Sequence, residues 1–138
     1  MAERLSDARI QTFLATKEVA LLATLQPGGA PLAMPMWFLP EPDGIAMISV
    51  ADSQKVRNLR RDPRACVVAE AGTRGDIRGV AVEGRAEFLP DSPERRALVE
   101  SLLAKYQPDL ERRWGARAIP ADRVLFRITA ERVRSWGL

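Results

Sequence analysis

The chain has 138 residues, 21 basic and 18 acidic, with a formal net charge of +3, and 46% of it is hydrophobic. This composition points to one globular domain over residues 1–138, excludes a disordered chain, and leaves no apolar run near the ~20 residues that cross a bilayer. One cysteine, Cys66, and no histidine exclude internal disulfides, Ser-His and Cys-His nucleophile pairs, imidazole-held zinc and His-ligated haem.

The opening residues, Met1 to Asp7, lack the basic start and apolar centre of a secretion signal. With the lone cysteine, this makes a cytoplasmic location the expectation. Ser6 to Lys17 reads as a helix capped by Ser6, with Ile10, Phe13 and Leu14 on one face. Val19 to Gln26 alternates as a strand does, and Pro27-Gly28-Gly29 is a tight turn. Ala30 to Leu39 returns as a strand, with Leu32, Met34, Met36 and Phe38 on one face and Ala33, Pro35 and Trp37 on the other. Pro35 has no N–H to give to a ladder, so the strand needs a free edge or a bulge there. An open edge beside Trp37 would suit a flat ligand; a bulge without function satisfies the proline equally well. Glu41-Pro42-Asp43-Gly44 turns the chain again.

Ile45 to Val50 and Ala65 to Ala69 are apolar strands flanking a short helix. Asp52 or Ser53 can cap that helix, Val56 and Leu59 form its apolar seam, and Pro63 ends it by about Asp62. The helix start gathers the Ser53 hydroxyl, the Lys55 ammonium and free N–H groups, which are the parts of an anion site whose usual occupant is a phosphate. The same residues also make an ordinary cap with a solvated lysine.

Gly72 to Asp76 reads as a polar loop. Ile77 to Leu89 is a half-buried strand: Val80, Val82, Gly84, Ala86 and Phe88 face in, Glu83, Arg85 and Glu87 face out, and Gly84 suggests a bulge. Ser92-Pro93 opens a helix to about Tyr106 whose stripe of Leu98, Val99, Leu102, Leu103 and Tyr106 suits a lid over a barrel end. Pro108 to Trp114 adds a second short helix. Val124 to Trp136 is the last strand, with Val124, Phe126 and Ile128 inward. The fold class is therefore mainly β: a six-stranded antiparallel barrel with peripheral helices. Val19 to Leu25, Leu32 to Phe38 and Ile45 to Val50 are apolar on both faces, which one small barrel cannot bury alone, so a homodimer is expected. The mild basic balance suits an anionic small ligand. Aromatics are too few and too far from the basic residues for a nucleic-acid platform.

Four segments carry a resemblance: Leu21-Leu22-Ala23-Thr24-Leu25 with Gly29-Ala30-Pro31; Pro35-Met36-Trp37-Phe38; Ser53 to Arg64 with its Lys-x-x-Asn-Leu-x-x-Asp-Pro run; and Val82 to Glu87. On these the chain resembles the flavin and deazaflavin oxidoreductases of the pyridoxamine-5'-phosphate-oxidase-like split β-barrel superfamily, and most of all its small coenzyme F-420-dependent branch. The resemblance implies an FMN-binding split-barrel fold and a homodimer with two cofactor sites at the interface. By position, Lys55 with Ser53 and Gln54 would hold the cofactor phosphate, joined by Ser49, and the motif's Asn58 would also belong to the cofactor-binding residues. Pro35, Met36 and Trp37 would lie against the tricyclic ring, Arg78 and Gly79 would approach its polar edge, and Trp136 would close the site. Arg57, Arg60, Arg61 and Arg78 are candidates for the anionic tail of F-420.

The implied chemistry is hydride transfer between reduced F-420, or alternatively FMN, and a small conjugated organic acceptor, without a metal. No catalytic side chain is assigned; the proton comes from solvent, Tyr106 or an arginine. The alternative is a non-catalytic dimer that carries a flavin or similar planar ligand. The superfamily's vitamin-salvage oxidase has a C-terminal Arg-x-His pair and an arginine where this chain has Met34. Both are missing here, so pyridoxamine phosphate is not the expected substrate.

Overall fold

Three tight hairpin turns, two helical connections and a period-two apolar pattern bring six strands together into one antiparallel wall. The computed structural model describes residues 3–107, 109, 112 and 119–138. Its elements in chain order are α1 (Ala8–Ala15), β1 (Val19–Leu25), β2 (Pro31–Pro40), β3 (Gly44–Val50), α2 (Gln54–Arg61), β4 (Arg64–Thr73), β5 (Asp76–Phe88), α3 (Pro93–Tyr106) and β6 (Arg123–Trp136). The strands close into a barrel in the order β1-β2-β3-β6-β5-β4. Of the short helix expected over Pro108 to Trp114, only Asp109 and Arg112 are among the described residues, both of them helical, and the rest lies outside them. Among the described residues, no helix is long and apolar enough to cross a membrane.

Several local expectations change. Asp7, not Ser6, caps α1, its carboxylate accepting the Arg9 N–H at 2.8 Å. The loop foreseen over Gly72 to Asp76 is a tight hairpin: β4 runs on until Thr73 pairs with Asp76. Gly72 takes φ +127° there, a conformation that side chains resist. The bulge near Gly84 is present as a register shift between Glu83 and Gly84 against β6. Ser92 caps α3 as its sequence indicates, accepting the Arg95 N–H at 3.1 Å.

There are two apolar cores. Inside the barrel, Leu22, Phe38, Ile45, Met47, Val67, Val82, Phe126 and Ile128 pack together, and Ile10, Phe13 and Leu14 of α1 pack into the same cluster. The second core lies on the outside of β3 and β6, where Leu98, Leu102, Leu103 and Tyr106 of α3 cover Ala46, Ile48 and Leu125. The helix expected as an end lid is therefore a side-wall cover, and α1, with Leu59 of α2, supplies the helical contribution to the interior. Arg127 fastens that cover, reaching Glu41 at 2.8 and 3.0 Å and Glu94 of α3 at 2.7 Å. This also corrects part of the two-faced-strand argument: the outer side of β3 is buried by the chain's own α3. On β1 and β2 the outer apolar groups stay uncovered, with Val19 45%, Leu21 44% and Met34 39% exposed.

Candidate functional site

The wall opens where β2 changes partners. Its residues from Pro31 to Trp37 pair with β1, and only Phe38, Leu39 and Pro40 pair with β3. Pro35 thus sits on a stretch with no β3 neighbour, the free edge that its missing N–H requires. A cleft of about 260 Å³ occupies the gap, lined by Pro35, Met36, Trp37, Ile48, Ser49, Val50, Lys55 and Arg123.

Five of the residues singled out from sequence meet there: Pro35, Met36, Trp37, Ser49 and Lys55. Ser49 is buried, and its hydroxyl lies 3.4 Å from that of Ser53. Ser53 occupies the N-cap position of α2, but its hydroxyl donates to the Val50 carbonyl at 2.9 Å instead of capping. Asp52 does not cap either; its carboxylate takes the Arg57 guanidinium. The first-turn N–H groups of α2 are therefore without a side-chain cap. Lys55 is half-buried, burial lowers the pKa of its ammonium, and no contact within the described residues pairs it. A partly desolvated cation, an uncapped helix start and two hydroxyls are groups that could hold an anion such as a phosphate.

Gln54 and Asn58 have another role. Asn58 is fully buried: its amide donates to Thr24 Oγ1 at 3.0 Å, and its carbonyl oxygen accepts from Gln54 at 2.7 Å. These contacts fasten α2 to β1 and direct both amides away from the cleft. The arginines expected at the mouth are likewise engaged within the chain. Arg57 binds Asp52 and Gln54, Arg60 stacks 4.0 Å over the Phe88 ring, and Arg61 donates to the Leu25 carbonyl.

Arg78, Gly79 and Trp136 stand together but elsewhere. Gly79 pairs with Trp136, and a Cβ at position 79 would fall 2.4 Å from the indole. Arg78 lines a separate groove of about 600 Å³ beside α1, and its Nε is buried without a hydrogen bond, 3.5 Å from the Asp76 carboxylate. Arg123, at the cleft, opens β6 and Trp136 closes it. The two groups therefore stand at opposite ends of one strand.

Sequence reading missed Ile48, Val50 and Arg123. Arg123 reaches the cleft because it lies opposite Val50 in the β3–β6 register, a long-range pairing with no local signal. Tyr106 is removed as a proton donor. Its hydroxyl is enclosed by backbone groups, and burial pushes its pKa up to about 12. Cleft and wall together define a barrel with a split at one strand and a cleft beside it that holds a half-buried lysine.

Residues 6–137 match the family described as pyridoxamine 5'-phosphate oxidase, and the chain belongs to that family. Among solved structures it is similar to the conserved hypothetical protein Rv2991 of Mycobacterium tuberculosis, at 34% identity over 95% of this chain and 84% of that one, with a TM-score of 0.76. An FAD-binding protein of Mesorhizobium loti matches at 24% identity over 98% and 95%, TM-score 0.74. A heme binding protein of Mycobacterium smegmatis matches at 22% identity and TM-score 0.80, covering 99% of this chain and 55% of that one. The last two likenesses are of fold alone.

Proposed function

We propose that this protein is a homodimeric oxidoreductase that transfers a hydride between reduced coenzyme F-420, or FMN, and a small conjugated organic acceptor. The observation that carries the reading is the half-buried Lys55 ammonium in the β2–β3 cleft, unpaired among the described residues and beside the uncapped start of α2. Lys55, the Ser49 and Ser53 hydroxyls and the α2 N–H groups would hold the cofactor phosphate. Pro35, Met36 and Trp37 would flank the ring. The bound cofactor supplies the hydride; the chain supplies orientation and a partly dry pocket.

The exposed Val19, Leu21 and Met34 support a second copy against β1 and β2. A second copy would also let Arg78, Gly79 and Trp136 of one subunit complete the cleft of the other. Haem has less support, since the chain has no imidazole to ligate it. The reading of a non-catalytic flavin carrier rests on a specific observation: the cleft lining contains no carboxylate, and the Tyr106 hydroxyl faces away from it.

Parallel fluorescence titrations with F-420 and FMN test the reading, with micromolar or tighter binding of at least one expected. Absence of binding to both overturns it. Turnover of the reduced cofactor by quinones or biliverdin then separates enzyme from carrier, since a carrier binds without acceptor-dependent oxidation.

A further inference from the structure

β2 has a second gap, on the opposite side from the cleft. Its pairing with β1 ends at Val19 and Trp37, and its pairing with β3 begins at Phe38 and Met47. Phe38 is therefore the changeover residue, and the next rung of the β1 ladder would join it to Glu18. That rung is replaced by α3. The Tyr106 hydroxyl accepts the Phe38 N–H at 2.7 Å and lies 2.8 Å from the carbonyl oxygens of both Phe38 and Glu18. Lys105 Nζ donates to the same Phe38 carbonyl at 2.6 Å and sits 3.8 Å over the Phe38 ring. One residue along, the Tyr106 ring stacks flat on Trp37, with centroids 4.6 Å apart and planes at 8°.

We infer that Tyr106 and Lys105 are positioning residues for the cleft: the hydroxyl and ammonium of α3 wedge open the changeover at Phe38, and the Tyr106 ring fixes Trp37 as the wall against the ligand's ring. The inference rests on the cofactor reading above and adds what sets the grip on the ring. A strand that switches partners has two unsatisfied flanks. One flank is the cleft; on the other, α3 supplies the donors and acceptors that the ladder does not. Without the wedge, Phe38 is free to add the next rung, to Glu18; that extension would draw the changeover toward β1 and, with the Tyr106 ring no longer held by its hydroxyl, loosen Trp37 as the wall of the cleft. The phosphate pocket hangs on α2 and β3, so the wedge should leave its contribution alone.

The test compares riboflavin with FMN, and the matching deazariboflavin with F-420, on the wild-type dimer and on Tyr106→Phe, which keeps the stacked ring and removes the hydroxyl. Both members of the pair that wild type binds are expected to weaken by about tenfold in the variant, on the order of one lost hydrogen bond, with their affinity ratio unchanged. Hydrogen exchange at the Phe38 amide should speed up while exchange across β3–β6 does not. Lys105→Met, the milder change, should move the same quantities less and serves if Tyr106→Phe fails to fold. Equal ligand affinity in wild type and variant, or an unchanged Phe38 amide, overturns the inference. Failure of the wild type to bind either cofactor overturns the cofactor reading instead, and is seen before any variant is made.

Discussion

The two helices that flank the cleft use their polar groups in opposite ways. On the α3 side, the Tyr106 hydroxyl and the Lys105 ammonium are all engaged with backbone of β2 and the residue before β1. On the α2 side, Ser53 declines the cap, and among the described residues the first-turn N–H groups have no side-chain partner and the half-buried Lys55 has nothing to pair it. Both helices contain a lysine whose pKa is lowered by burial. The difference is what faces it: a carbonyl for Lys105, the open cleft for Lys55. Engaged groups fix a wall, and unengaged ones cost stability until a ligand satisfies them. A fold that leaves a desolvated cation and an uncapped helix start at one place has a ligand-shaped deficit there.

If that contrast holds, removing a group from the engaged class should cost stability and removing one from the unengaged class should cost binding. The largest effect is expected at Asn58, which belongs to the engaged class although it stands on the binding helix. Asn58→Ala strips Thr24 of its buried partner and loosens α2 from β1, a loss of about 2–3 kcal/mol in urea unfolding. Weaker FMN binding with full stability would instead put the amide in contact with the ligand. Lys55→Ala is the converse. It should weaken FMN by about 1.5–3 kcal/mol, the usual cost of a charge-assisted hydrogen bond to phosphate. It should leave riboflavin affinity as it was and the urea midpoint unchanged or slightly raised, since the ammonium has no hydrogen-bond or ion-pair partner among the described residues and its burial cost is removed. An unchanged FMN affinity removes Lys55 from the site and ends the comparison.

The sequence told some of this and not the rest, for reasons that differ by residue. Pro35 announced an edge because a missing donor is a local fact, and the edge is where the strands part. The strand-helix-strand around Lys55 was readable from its cap residues and Pro63. Which hydroxyl would cap α2 was not, because Ser53 turns to Val50 and Asp52 to Arg57 only once the turn has formed. The motif made Asn58 look like a ligand contact, but its burial depends on Thr24, which lies 34 positions away in the chain. The placement of α3 was missed for a related cause. Its apolar stripe was visible, but a stripe does not say whether it covers an end or a side; the outward Ala46, Ile48 and Leu125 decide that. Tyr106 looked like a free phenol near a site because nothing nearby in sequence reveals Glu18 and Phe38 as its partners.

The smallest effect expected is a pH dependence on the engaged side. Desolvation holds the Lys105 ammonium at about 8, against 10.5 for a free lysine, with Glu18 partly opposing the shift. Between those values the unfolded chain keeps a proton that the folded chain has shed, so Lys105 makes folding more favourable as pH rises through the window. Below pH 8 both states are charged and the burial cost is carried in full. Tyr106, pushed up to about 12, acts in the opposite sense only as pH passes 10, and it is present in wild type and in Lys105→Met alike. The melting temperature of wild type relative to Lys105→Met should therefore rise from pH 7.5 to 9.5. The rise should be small, about 2 °C, because the ammonium is only half-buried and solvent screens it. Parallel melting curves would mean that Lys105 sits in water with its charge unhindered. In that case both flanking lysines would be free cations, and α3 would hold the wall through Tyr106 alone.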